Sequence, residues 1–238
     1  MPAGPVPTLL TYDPARPLIS LHVPKTAGTS LKRHLESWFR PEDLHFHYRG
    51  WNGEAPEATI PRPGLCVHGH FNRLRGVGAL QYYPDASQFI IFLRDPFDRF
   101  VSLWRYLNYQ LQSGMKVDGF EDAPPLEAWL DRRAAADPAT DPFSFLAQFP
   151  EPPDLSDPGS PFRSGFVSIG VMEAYAASLA QLALRLGRTP PEEPAHLNVG
   201  TGPTGDFAHL RGRHEAAFAF EHDVYARAAE LVRQATPV

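Results

Sequence analysis

Lys25, Thr26, Thr29 and Ser30 gather around Gly28 in the run Pro24-Lys25-Thr26-Ala27-Gly28-Thr29-Ser30, directly after the apolar stretch Leu18-Ile19-Ser20-Leu21-His22-Val23. A cation, hydroxyl donors and a residue without a Cβ, set where a strand pattern gives way to a helical one, are the materials of an anion cradle. The unpaired N–H groups and dipole of the helix favour negative charge, and glycine tolerates positive φ and lets a ligand approach the backbone. A second segment of this kind, Arg94-Asp95-Pro96-Phe97-Asp98-Arg99-Phe100-Val101-Ser102, follows Phe89-Ile90-Ile91-Phe92-Leu93. Arg94 offers a planar fork of donors, and Pro96 suits a first helical turn. Phe97, Phe100, Val101, Trp104, Leu107 and Leu111 recur at helical spacing, which assigns Arg99 and Ser102 to the opposite face. A nucleotide carrying two separated phosphates would need two such cradles.

Each segment has a plainer reading. Lys25 could be solvated while Thr29 or Ser30 caps a helix, and Arg94 could pair with Asp95 or Asp98 while Ser102 faces water. Two strand-end anion sites arise together by accident far less readily than either alone. A P-loop kinase would read Phe89–Leu93, ending near Asp95, as its magnesium-binding strand. Lys25 precedes Gly28, however, whereas the nucleoside-triphosphate loop places Gly, Lys and Ser or Thr in direct succession.

A base is also on offer. Val67-His68-Gly69-His70-Phe71 places two histidines at strand spacing, so both side chains lie on one side, and imidazole titrates near neutral pH. A metal centre is not expected, since His45 and His47 fit a loop or edge strand and Cys66 is the single cysteine.

These residues need a scaffold, and the order of patterns supplies one. Strands are expected at Leu18–Val23, Gly64–Gly69, Gln88–Leu93 and Phe166–Gly170. Helices are expected at Thr29–Phe39, Pro96–Leu111 and Glu173–Leu186. Alternation of this kind implies an α/β fold, a P-loop-like central parallel sheet flanked by helices, with ligands beyond the strand C-termini. One domain over residues 18–238 follows a Pro-rich tail at 1–17, and a loop-rich insertion at about 113–163, with short helices near Leu126–Ala135 and Phe143–Gln148, is expected over the site.

The 238 residues, 43% hydrophobic, can bury one substantial core, and a formal charge of −5 argues against nucleic-acid partners. Met1–Pro17 carries neither a basic leader with a long apolar run nor a transmembrane stretch, so the expected location is cytoplasmic, in keeping with a lone cysteine. Oligomeric state is not legible.

Taken together, His22-Val23-Pro24-Lys25-Thr26-Ala27-Gly28-Thr29-Ser30, Arg94-Asp95-Pro96 with Arg99 and Ser102, and Val67–Phe71 resemble the motifs of sulfotransferases that use 3′-phosphoadenosine-5′-phosphosulfate (PAPS). The spelling is closest to the uronyl 2-O carbohydrate branch and its soluble bacterial relatives. A weaker likeness runs from Gly170 through Glu173 to His196-Leu197-Asn198-Val199. The resemblance implies a sulfotransferase fold, PAPS as co-substrate without a metal, and a hydroxyl-bearing acceptor, first a sugar or glycan and second a tyrosine, small alcohol or phenol. It implies Lys25, Thr26, Ala27, Gly28, Thr29 and Ser30 around the 5′-phosphosulfate, with Lys25 stabilising the leaving phosphate, and Arg94 and Ser102 on the 3′-phosphate. His70 becomes the base and His68 its neighbour and alternative. Gly200–Arg213, with Arg211 and Arg213, becomes a candidate lid. A binding module that kept the fold and lost the chemistry is the remaining rival.

Overall fold

The computed structural model describes residues 8–49, 54–192 and 205–235. The run His196–Val199 and the first part of the candidate lid, Gly200–Thr204, therefore lie outside the described residues, as does Met1–Pro7. In chain order the elements are β1 (Leu18–Leu21), α1 (Gly28–Trp38), β2 (Leu44–His47), β3 (Cys66–Gly69), α2 (Ala79–Tyr82), β4 (Phe89–Leu93), α3 (Pro96–Gln112), α4 (Leu126–Ala134), β5 (Phe166–Val171), α5 (Tyr175–Arg185), α6 (Arg211–Ala217) and α7 (Ala219–Ala235). The strands expected from sequence are all present, most of them a residue or two shorter. His45 and His47 lie on β2, at the sheet edge.

The sheet is parallel throughout, in the order β2-β3-β1-β4-β5. From β1 the chain moves to one side, through α1 to β2 and back to β3, and from β4 it moves to the other side, toward β5. The crevice between the C-terminal ends of β1 and β4 is the switch point at which an open α/β sheet takes its ligands. Both cradles open there, because one follows β1 and the other follows β4.

Parallel strands covered on both faces read as apolar runs rather than alternating ones, and these do. Ile19, Leu21, Val67, Phe89 and Ile91 point to one face, where Phe145, Phe149, Val224 and Ala228 cover them. Leu18, Cys66, Ile90, Phe92 and Val167 point to the other, beneath Leu31 and Leu35 of α1 and Leu179 and Leu182 of α5. Phe97, Phe100, Trp104 and Leu107 of α3 form a third cluster with Trp129, Leu130 and Phe218.

The short helices of the 113–163 segment form where sequence places them, at Leu126–Ala134 and as a 3-10 turn at Phe145–Gln148. Phe145, Leu146 and Phe149 join the core on one face of the sheet, whereas Leu126, Trp129 and Leu130 pack against α3. The N-terminal segment also joins the domain before residue 18: the Leu10 N–H donates to the Phe166 carbonyl at 2.8 Å and the Asp13 N–H to Gln88 Oε1 at 2.7 Å. Among the described residues no helix is long and apolar enough to cross a membrane, and no cluster of metal-ligating side chains forms.

Candidate active site

The loop after β1 turns through two left-handed residues, Lys25 at φ 72° and Ala27 at φ 60°. Neither is glycine, so each costs about 1–2 kcal/mol against an ordinary backbone, a strain that occurs at ligand sites. Ala27 is the N-cap of α1 and provides no side-chain cap, and the first turn of the helix carries no carboxylate. The helix dipole therefore meets no fixed negative charge from its own first turn. Lys25 is partly buried, and its ammonium lies 4.6 Å from the centre of the Tyr106 ring. Burial lowers its pKa from the ordinary lysine value, and the Arg94 guanidinium lowers it further. The two cradles are thus close enough for their cations to feel each other.

The other loop residues divide into lining and framework. Thr26 is buried and its hydroxyl donates to the Val23 carbonyl at 2.9 Å, so it braces the turn and does not present a donor to a ligand. Ser30 is buried and bonded to Tyr175 of α5, while Thr29 is exposed.

Gly28 has a role sequence did not indicate. A Cβ there would stand 1.7 Å from Nε2 of His22, so the bare backbone leaves room for the His22 imidazole, and the approach attributed to a ligand is made by this ring. His22 in turn stacks on His70 at 4.2 Å and on His68 at 5.2 Å, and its Nδ1 meets the Tyr48 hydroxyl at 2.9 Å. With the imidazole hemmed in on these sides, Gly28→Ala has no cheap relaxation. We expect it to destabilise the protein by about 1–3 kcal/mol and to weaken nucleotide binding, measurable by thermal melting and calorimetry.

His68 lies on β3 and His70 just past its end, both against the His22 ring, but their surroundings differ. His68 is fully buried with Nδ1 2.8 Å from Ser20 Oγ. His70, at the strand end, is partly exposed, and its Nδ1 lies 2.8 Å from the His22 carbonyl. A carbonyl only accepts, so Nδ1 carries the hydrogen and Nε2 is left as the proton-accepting nitrogen. Burial lowers the pKa of His70, against the pull of that hydrogen bond. For His68 burial is the larger cause, with His70 adding to it, and its pKa is pushed down to about 3. His22 and Tyr48 escaped the sequence reading as site residues. His22 was visible within the motif, whereas Tyr48 had no signal, since only the β2–β3 pairing brings it here.

Buried neutral imidazoles make stability pH-dependent. The folded pKa of His68 lies below the unfolded 6.5, so the unfolded chain takes up protons first as pH falls below 6.5, and stability declines from there toward pH 3. His22 and His47 act in the same sense, His47 being held at about 4. A falling melting temperature between pH 7 and pH 5 checks this.

The loop after β4 is arranged differently from the first. The Asp95 carboxylate caps α3, accepting from the Asp98 N–H at 2.9 Å, and both its oxygens accept from Arg211, at 3.0 and 3.1 Å. Arg211 also reaches Asp98, at 2.7 Å. These carboxylates are therefore satisfied by Arg211, and among the described residues no ion pair includes Arg94. The α3 N-terminus is filled by its own cap; Arg94, just before the helix, and Ser102, in its second turn, are both half-buried. The acid a kinase reading would give to magnesium is engaged in these contacts.

Two expectations are corrected here. Arg99 is 2% exposed, pointing inward to donate to the Phe143 carbonyl at 2.9 Å, and burial pulls its pKa down to about 10. Helical spacing placed it opposite the apolar stripe, but the 113–163 segment covers that face too. Arg211 and Arg213 of the candidate lid contact Asp95, Asp98 and Asp131, so their charges are already compensated.

The donor set fits an anionic nucleotide: an α1 N-terminus without side-chain cap, Lys25 and Arg94 near enough for each charge to act on the other, and a neutral histidine beside Lys25. No curated protein matches the chain significantly. Among solved structures, a mouse sulfotransferase, SULT7A1, complexed with PAP, matches at 12% identity and a TM-score of 0.40, covering 86% of this chain and 64% of that one. The chain thus spans less than two thirds of that protein's length. The sequence model of the sulfotransferase family matches residues 9–133, the half of the chain that contains both cradles, His68 and His70. This chain belongs to the sulfotransferase family.

Proposed function

We propose that the chain transfers a sulfuryl group from PAPS to an acceptor hydroxyl, leaving adenosine 3′,5′-bisphosphate. The observation that carries this reading is the convergence of Lys25 and Arg94, from separate strand ends, on the β1/β4 switch point. The α1 N-terminus and Lys25 would hold the 5′-phosphate, and Arg94 and Ser102 the 3′-phosphate. PAPS brings the sulfuryl group already activated. The residues then have to align it with the acceptor and stabilise the departing charge. Lys25 would neutralise charge gathering on the bridging oxygen. His70 Nε2 would take the acceptor proton as its oxygen bonds to sulfur.

A sugar hydroxyl is the preferred acceptor. Tyr106, 37% exposed on α3, lies beside Lys25, and Tyr109, 47% exposed, follows three residues on along the same helix; aromatic rings of this kind are surfaces on which the C–H face of a sugar ring can rest. Such rings would also receive a phenol or tyrosine, which an acceptor screen would separate. A cytoplasmic location belongs to the same proposal.

The test is calorimetric titration with adenosine 3′,5′-bisphosphate, adenosine 5′-phosphate, and ATP with magnesium. Preference for the bisphosphate is expected, and Arg94→Ala should reduce it by roughly 1.5–3 kcal/mol, the worth of a charge-assisted hydrogen bond. Preference for ATP with magnesium would sink the proposal.

A further inference from the structure

The turn that carries Arg94 is held from parts of the chain beyond the residues that match the family. Glu173 lies on the 3-10 turn Met172–Ala174, immediately after β5. Its Oε1 accepts from the Asp95 N–H at 2.9 Å, and its Oε2 accepts from the Tyr225 hydroxyl of α7 at 2.6 Å. The Asp95 N–H belongs to the peptide bond that joins it to Arg94. A hydrogen bond on that peptide fixes the backbone from which the Arg94 side chain departs.

Resting on the PAPS reading above, we propose that Glu173, steadied by Tyr225, is a positioning residue for Arg94 and thereby sets selectivity for the nucleotide 3′-phosphate. The charge arrangement shows why a carboxylate can serve beside an anion site. Asp95 and Asp98 are paired with Arg211, and Glu173 gives one oxygen to a peptide N–H and the other to a phenol. Arg94 is the cation of this turn left for a ligand. A bidentate fork is sensitive to orientation, so a peptide free to rotate would cost it affinity without any change in charge. The first cradle shares none of these contacts. Its hold on a 5′-phosphate should not depend on Glu173.

The experiment is titration of the full chain and its variants with adenosine 3′,5′-bisphosphate and adenosine 5′-phosphate, read as the ratio of the two affinities. Glu173→Ala should lower that ratio about tenfold, with 5′-phosphate affinity nearly unchanged. Glu173→Gln should keep the ratio within about threefold, because the amide oxygen accepts the same N–H. Tyr225→Phe keeps its ring in place and should lower the ratio by a few fold, so it carries the test if Glu173→Ala does not fold. An unchanged ratio in the folded variants, or an equal loss for both ligands as general loosening would give, overturns the inference alone. Absence of a bisphosphate preference in the unaltered chain overturns the PAPS reading and the inference with it.

Discussion

His70→Ala should lower turnover with PAPS by about 10²–10⁴-fold, the range for loss of a positioned general base, while bisphosphate affinity stays within a few fold. The reason is the division of labour in the site. The Nδ1 of His70 is committed to the His22 carbonyl, so its contribution is the proton-accepting Nε2. Single-turnover rates beside calorimetric affinities make the comparison. The acid limb of the unaltered enzyme should fall below the ordinary imidazole value of 6.5, because burial lowers the His70 pKa and the base form persists as pH drops. Full activity in His70→Ala would remove the assignment. His68 is a poor substitute, being fully buried with Nδ1 bound to Ser20. His22, its ring lying between His70 and Gly28, would be the next to test.

Lys25→Ala should cost about 10²–10³-fold in kcat, the scale for losing a preorganised donor to developing charge, with a smaller rise in KM. A lysine in the ordinary range would be a diffuse surface charge. This one is partly buried on a left-handed backbone and held over the Tyr106 ring, so its ammonium has a fixed place before ligand arrives. Lys25→Arg would keep the charge but would have to fit a larger planar head over that ring, and should recover only part of the rate. A loss in kcat/KM with kcat unchanged would assign Lys25 to ground-state binding and not to the departing phosphate.

The sequence alone determined the parts whose signals are local. The apolar runs Leu18–Leu21, Cys66–Gly69, Phe89–Leu93 and Phe166–Val171 fall where both faces of a parallel sheet must be dry, and turns with Gly28 or Pro96 mark where helices begin. Arg94 and His70 stand just past two of those boundaries and Lys25 in the turn after a third, while the role proposed for each rests on the resemblance to the sulfotransferase motifs. Tertiary structure decided what depends on pairing distant segments. Only the strand order places β1 beside β4 and brings two anion cradles to one crevice. Only the packing of the 113–163 segment turns Arg99 inward, since helical periodicity describes one helix and cannot know that a second layer covers its other face. The same limit hid the clamp on Asp95: Glu173, Arg211 and Tyr225 lie 78 or more residues away, a span over which no periodicity or motif spacing carries information.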